Sequence, residues 1–263
     1  MKQIALILVA TTLSGAAFRA SAQSDFYRRL TPPNVSQGGV AGAVLLAGRE
    51  YQGSDESRVR LLPSIDYQWS NGFFAGVING VGYNASSQPD IAYGVRVTAD
   101  FGRKERRSAA LRGLGDIDAR PEFGAFFNYS PVRSVSLNSS LRFGSGNERE
   151  GLLLDLGASW STGLSPALQL STNVAATWAN ASYLQDYFGV DSAQSVQSGY
   201  GIYRPGSGLR DVRFGATLRY RITPAWGVTA SLSRSVLQGD AKDSPIVREQ
   251  GTTSGLFTVG YSF

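Results

Sequence analysis

The stretch IAYGVRVTADF, residues 91–101, decides the fold of this chain. Its odd-numbered side chains, from Ile91 to Phe101, are all apolar, whereas the even-numbered ones are small, polar or charged. Successive side chains of a β-strand point to opposite faces of a sheet. The pattern therefore predicts a strand that separates an apolar environment from a polar one.

The same alternation recurs along the whole chain. Eleven segments carry it, at 40–47, 58–69, 73–83, 91–101, 123–130, 135–143, 152–160, 168–178, 212–222, 226–236 and 255–263. Membrane-crossing strands need about 9–11 residues with an apolar lipid face and a polar lumen face, whereas strands of globular proteins typically have about five or six residues. The sequence therefore predicts an all-β fold, a transmembrane antiparallel up-and-down β-barrel, rather than a secreted β-sandwich.

The number of strands needs one adjustment. Bacterial single-chain barrels have an even number of strands, so eleven segments imply one missed strand or one wrong division. We predict twelve strands, with ten as the alternative. The missing strand is expected within 183–190 or 195–203, and a wrong division within 73–93.

Composition excludes several kinds of chemistry. The 263 residues include no Cys and no His. Nucleophilic catalysis of the Ser-His-Asp and Cys-His types needs an imidazole base, and common zinc and haem sites need His or Cys ligands. We therefore expect no enzyme activity, no cofactor and no metal site. The excess of basic over acidic residues is small, so we expect no nucleic-acid partner.

The N-terminus resembles an export signal. Lys2 precedes an apolar run from Ile4 to Leu13, and Ala20-Ser21-Ala22 fits an A-x-A cleavage site. We predict a cleaved signal peptide at 1–22 and a single barrel domain at 23–263. The expected location is the outer membrane of a Gram-negative bacterium, with outer-membrane lipid and lipopolysaccharide as surroundings.

The C-terminus and the connections suggest how the barrel is oriented. The apolar side chains of the last segment alternate and end on Phe263, which resembles the terminal strand that the barrel-assembly machinery recognises. The predicted assembly signal is Phe257, Tyr261 and Phe263. Short Pro-containing connections at 130–132, 162–166 and 222–226 predict periplasmic turns. The segments 103–117, 180–210 and 237–253 are then long extracellular loops, and 104–111 is expected to form a short helix.

Charged side chains on the polar face of the strands are expected to line the lumen. The candidates are Arg58, Arg60, Arg96, Arg142, Arg213, Arg219, Arg221, Asp66, Asp100, Glu122 and Asp155. An excess of arginine could attract anionic solutes into a pore. Alternatively, arginines and carboxylates could pair and fill a narrow lumen. The sequence alone leaves both interpretations open.

Several short motifs resemble one protein family. They are Tyr51–Asp55, Gly102-Arg103, Gly113–Ile117, Tyr187–Val190, Leu237–Val247 and the terminal Tyr261-Ser262-Phe263. In this order and spacing they resemble the MltA-interacting protein (MipA)/OmpV family of outer-membrane proteins. The resemblance implies a non-catalytic scaffold that links a murein lytic transglycosylase to a penicillin-binding murein synthase.

Two functional hypotheses follow. The first is the murein-enzyme scaffold, and the alternative is a small anion-preferring channel with an Arg-lined lumen. A scaffold would contact its partners from the periplasm, where Phe26, Tyr27, Arg28 and Arg29 are the best candidates for that contact. Most of the motifs fall in predicted extracellular loops, where they would pack the loops into a lid or contact lipopolysaccharide.

Overall fold

The chain forms a closed antiparallel barrel of twelve strands in a computed structural model that describes residues 37–77 and 79–263. The strands are β1 Gly38–Arg49, β2 Ser57–Gln68, β3 Phe73–Gly76, β4 Gly80–Asn84, β5 Ile91–Asp100, β6 Arg120–Val132, β7 Val135–Ser145, β8 Gly151–Gly163, β9 Leu168–Ala179, β10 Gly208–Arg221, β11 Trp226–Leu237 and β12 Gly251–Ser262. Consecutive strands pair, and β1 closes the ring against β12 from Val40↔Ser262 to Ala47↔Gly255. The predicted fold class and strand number are confirmed.

The twelfth strand lies elsewhere than the sequence suggested. Residues 183–190 and 195–203, where we expected it, form no strand and instead contribute to helices α1 (Ala181–Phe188) and α2 (Ser192–Ser198). The segment 73–83, which the alternation marks as one strand, is the hairpin β3–β4, with Phe73 opposite Tyr83. Gly76 and Gly80 flank its turn, and Gly80 has a φ of +75°, which favours glycine.

The outer face of the barrel is apolar. Leu61, Val81, Phe123 and Leu232 are each at least 60% exposed on it. In a water-soluble protein so many exposed apolar side chains on one continuous surface would promote association. On a barrel they form the lipid-facing band, with aromatic side chains such as Trp226 and Tyr261 packed together near one end.

The two ends of the barrel differ in their connections. The turn end holds the short connections at 69–72, 85–90, 133–134, 164–167 and 222–225, together with Gly38 and Phe263. The long-loop end holds the connections at 50–56, 77–79, 101–119, 146–150, 180–207 and 238–250. Two of its loops contain α1, α2 and the short α3 (Gly239–Lys242), and the expected helix at 104–111 is a pair of 3-10 turns.

Local sequence explains where the loop helices start. The Asn180 side chain accepts a hydrogen bond from the Tyr183 N–H at the start of α1. Asp191 and Gln194 form a reciprocal capping box at the start of α2. No helix among the described residues is long and apolar enough to cross a membrane.

The wall of the barrel is uneven in height. β3 and β4 are so short that β2 pairs with β3 only from Asp66 to Gln68, and β4 pairs with β5 only from Gly94 to Val97. Residues 57–64 of β2 and 98–100 of β5 continue past the hairpin toward the long-loop end. We call the space between these two extensions the notch.

Two predictions lie beyond the described residues. The signal peptide at 1–22 and the contact candidates Phe26, Tyr27, Arg28 and Arg29 fall outside them. The assembly residues Phe257, Tyr261 and Phe263 lie on or just after β12 and are exposed on its outer side. Their recognition by the assembly machinery stays a prediction.

Candidate functional site

A network of paired charges lies on the lumen side of strands β6 to β10, toward the long-loop end. We call it the ion-pair plug, and its members are Glu122, Arg142, Asp155, Arg210, Asp211 and Arg213. Most of these side chains are buried, and Asp155 is its central acid. Alternation along β6 to β10 brings the members together, because each strand presents every second side chain to the lumen.

The geometry of the plug is that of hydrogen-bonded ion pairs. Arg142 donates to Glu122 Oε2 and to Asp155 Oδ2, each at 3.0 Å. Arg213 reaches Asp155 Oδ1 at 3.4 Å and Asp211 Oδ1 at 2.8 Å. Thr177 Oγ1 also donates to Asp155 Oδ1, at 2.6 Å. Each carboxylate therefore faces at least one guanidinium, and three arginines balance three acids.

The equal number of arginines and acids determines the net charge of the plug. Burying an ion costs several kcal/mol unless a partner compensates its charge. Here the pairing compensates the charges, so Arg142 and Arg213, two of the seven predicted lumen arginines, carry little net positive field. The plug joins strands β6, β7, β8 and β10 through their lumen-facing side chains.

All but the last of the family motifs converge above the plug and form a lid. The Tyr51 hydroxyl donates to the Ile246 carbonyl at 2.9 Å, and the Ser244 hydroxyl donates to the Phe188 carbonyl at 2.5 Å. Two buried apolar clusters fill the lid. The first is Tyr51, Leu111, Leu114, Val190 and Ile246, and the second is Leu153, Ala179, Tyr183, Leu184, Phe188, Leu237 and Ala241.

The lid and the plug are joined directly. Arg210 Nη1 donates to the Tyr183 hydroxyl at 2.9 Å, and the guanidinium lies 5.4 Å from the centre of the tyrosine ring. Burial raises the pKa of Tyr183 to about 12. Burial likewise raises the pKa of Tyr51 to about 12. Both hydroxyls therefore stay neutral over a wide pH range, Tyr51 as the donor to the Ile246 carbonyl and Tyr183 as the acceptor from Arg210.

Arg103 is the most unusual charge in the lid. Only 2% of this residue is exposed, and its Nη1 donates to the Tyr187 carbonyl at 2.8 Å. Nε and Nη2 have no hydrogen-bond partner among the described residues. Burial lowers the pKa of Arg103 and raises that of nearby Asp186. The motif Gly102-Arg103 thus places a cation inside the loop packing, where its backbone also bridges to Ile117.

The other predicted lumen residues lie outside the plug. Arg96 is buried and donates to Ser140 Oγ at 2.6 Å, and Asp66 accepts from Asn79 Nδ2 at 3.3 Å. Asp100 accepts from the Tyr187 hydroxyl at 2.5 Å and so joins the lid.

The remaining predicted arginines lie toward the two ends of the barrel. Arg58 and Arg60 lie near Glu50 at the long-loop end. Arg219 and Arg221 lie toward the turn end, where Arg221 donates to the Pro166 carbonyl at 2.7 Å.

Sequence reasoning missed part of the site. Arg210 and Asp211 were not among the candidates, because the sequence predicts a strand that begins at 212 and a loop at 180–210, whereas β10 begins at Gly208. Arg210 is also out of phase with Arg213, since the register between β9 and β10 shifts between Leu209 and Asp211. Glu50 and Arg107 were missed because they belong to connections, where period-two reasoning does not apply. Within the described residues, no group of three His, Cys, Asp or Glu side chains is arranged to hold a metal ion.

The family assignment rests on a match over most of the chain. Residues 41–263 match the family described as MltA-interacting protein MipA. The chain belongs to this MipA family. The resemblance predicted from the motifs is therefore confirmed. All of these motifs except the terminal Tyr261-Ser262-Phe263, which lies at the turn end, belong to the long-loop end where the lid is built. No curated protein matches the sequence.

Solved structures similar to this MipA-family barrel include porins and channels. A NanC porin is 10% identical with a TM-score of 0.48, covering 83% of this chain and 98% of the porin. KdgM porin is 11% identical with a TM-score of 0.45, covering 85% and 99%. An outer-membrane channel of Pseudomonas putida F1 is 12% identical with a TM-score of 0.47, covering 91% and 100%.

Proposed function

We propose that this MipA-family protein is a non-catalytic outer-membrane scaffold with a closed lumen. Its long-loop end faces the cell exterior and its turn end faces the periplasm. There it would link a murein lytic transglycosylase to a penicillin-binding murein synthase. The ion-pair plug is the observation that supports a closed lumen. The expectation about partners comes from the family.

The plug argues for a scaffold over an anion-preferring channel. A selective anion pore needs fixed positive charge that solutes can reach. Arg142 and Arg213 instead face Glu122, Asp155 and Asp211 at hydrogen-bonding distance. The lid then covers the same end of the lumen with two packed apolar clusters.

The periplasmic contact is assigned to the segment that precedes β1. β1 begins at Gly38 at the turn end, which is the periplasmic end in the proposed orientation. The turns at this end have only two to six residues and offer little surface of their own. Phe26, Tyr27, Arg28 and Arg29 are therefore the first residues to test as the contact.

Affinity capture tests the scaffold. The folded mature protein is immobilised and exposed to purified lytic transglycosylase and murein synthase, separately and together. We expect both to be retained by the wild type and lost on deletion of Ser24–Pro33. A barrel with the Arg133→Ala change at the turn end serves as the matched control. If the deletion variant retained the two enzymes as well as the wild type does, the contact would lie outside Ser24–Pro33. If the wild type retained neither enzyme, the scaffold proposal would be wrong.

Planar bilayer recording tests the closed lumen. We expect no steady conductance from the wild type, because the plug and lid together block the long-loop end. A steady anion-selective current that Arg219→Ala or Arg96→Ala shifts toward cations would contradict the closed lumen and favour the channel.

A further inference from the structure

The notch carries an excess of positive charge that nothing in the scaffold proposal uses. The acid at its rim is Glu50, whose side chain is largely buried. Three guanidiniums approach this one carboxylate: Arg58 at 3.0 Å, Arg107 at 3.6 Å and Arg60 at 3.9 Å. Arg107 Nη1 makes no hydrogen bond among the described residues. This arrangement is the reverse of the plug, where acids and arginines balance.

A pocket lies directly beside this cluster. Its volume is about 220 Å³ and it is lined by Glu56, Glu105, Arg106, Arg107, Ser108, Ala109 and Arg112. That volume is several times the ~30 Å³ that one water molecule occupies in the liquid, so a phosphate group fits. Its lining comes from the connection after β5, which contains the 3-10 turns at 105–111, and from Glu56 just before β2, so it lies where the two edges of the notch enter the long-loop end.

Three arginines, Arg106, Arg107 and Arg112, face two acids, Glu56 and Glu105, in the pocket lining, which leaves a formal excess of one positive charge. Both Glu105 carboxylate oxygens already accept backbone N–H groups, from Gly113 at 2.8 Å and from Gly115 at 3.0 Å. Arg106 and Arg112 are exposed, and neither forms an ion pair within the described part of the chain. Guanidinium forks of this kind match phosphate oxygens in shape and charge.

The surroundings of the notch are apolar. Val59 and Leu61 on β2 are 64% and 72% exposed on the outer face of the wall. A ligand that reached the pocket from the side would therefore place an apolar part against these side chains and a charged part against the arginines. An amphiphile with a phosphorylated headgroup meets both requirements.

We propose that the notch and the pocket above it bind a phosphorylated lipid of the outer leaflet. Arg106 and Arg112 contact a headgroup phosphate, the cluster around Glu50 supplies the positive field, and Val59 and Leu61 contact an acyl chain. The inference rests on the proposed orientation in the outer membrane and is independent of any murein partner.

The test uses the mature barrel in phosphatidylcholine nanodiscs. It is titrated with purified lipopolysaccharide, with the same lipopolysaccharide after removal of its phosphates, and with inorganic phosphate. We expect the phosphorylated form to bind at least roughly ten-fold more tightly than the dephosphorylated form, since one charge-assisted contact is worth about that factor. High salt weakens this preference because it screens exposed charges.

Matched variants locate the site. Arg106→Ala/Arg112→Ala should lose at least roughly ten-fold in affinity for phosphorylated lipopolysaccharide. Arg133→Ala/Arg204→Ala removes the same charge from exposed positions elsewhere and should bind like the wild type. A gel-mobility assay with and without heating shows that each variant is folded.

Three outcomes overturn the proposal. Equal affinity for the two lipopolysaccharide forms would show that the phosphate is not recognised. Unchanged binding by Arg106→Ala/Arg112→Ala would show that the lipid binds elsewhere. Inorganic phosphate that binds the same arginines as tightly as the lipid does overturns the lipid assignment. Because partner capture uses the periplasmic side, failure here and failure of the scaffold are separate results.

Discussion

The two sides of this barrel treat buried charge in opposite ways. On the side of β6 to β10 the ladders are long, and arginines and carboxylates pair across neighbouring strands into the neutral plug. On the side of β2 to β5 the wall is low, and three arginines share Glu50. A complete wall encloses its charges and must balance them, whereas an interrupted wall can leave an excess that an external ligand satisfies.

The same substitution on the two sides should have very different effects. Arg213→Met leaves the three buried acids of the plug with two arginines, Arg142 and Arg210, so one buried negative charge is no longer balanced. Removing one partner of a buried pair typically costs about 3–5 kcal/mol. We expect a loss of this size in the free energy of unfolding, measured by urea titration in detergent micelles. A variant as stable as the wild type would show that the plug does not hold the wall together.

Alkaline titration examines the lid over the plug. The folded pKa of Tyr51 is about 12 and so lies above the usual value of about 10. A raised pKa means that folding favours the neutral hydroxyl. Its contribution to stability is complete below pH ~10 and is lost as the pH rises through ~12. Ultraviolet absorbance of tyrosinate should show a late-titrating group that disappears in Tyr51→Phe, and an unchanged curve would contradict the buried position.

Tyr51→Phe also measures one hydrogen bond of the lid at neutral pH. It removes the donor to the Ile246 carbonyl and leaves the ring in its apolar cluster. We expect a loss of about 1 kcal/mol, read as faster amide exchange in 246–248 without a change in the barrel strands. Tyr220→Phe on the exposed outer face is the control. A uniform change across the whole barrel would mean that lid and wall unfold as one unit.

The smallest effect is expected at the notch. Arg107→Met leaves Glu50 with Arg58 at 3.0 Å and Arg60 at 3.9 Å, so the carboxylate stays compensated. We expect the free energy of unfolding to change by less than about 1 kcal/mol. A loss as large as that of Arg213→Met would erase the difference between the two sides.

Period-two alternation predicted most of the strands, because a wall between lipid and water must sort its side chains. It failed at 73–83, where the alternation continues through a turn and a hairpin looks like one strand. It also failed at Arg210 and Asp211, because β10 begins before the predicted strand and its register against β9 shifts after Leu209.

The pairing of charged side chains within the plug could not be predicted from the sequence. Alternation predicts that Asp155 and Arg213 face the lumen. That their side chains are in contact becomes evident only from the closed barrel. The lid motifs were visible as motifs, yet their mutual contacts span separations such as that between Tyr51 and Ile246. Such contacts depend on loop conformations, which the secondary-structure propensities of the individual residues do not determine.

The contact between Tyr51 and Ile246 also has a consequence for the seam of the barrel. It joins the connection after the first strand to the connection before the last one, across the seam where β1 meets β12. The two loops that flank the seam are therefore tied to each other, and an opening of the seam at the long-loop end would separate Tyr51 from Ile246.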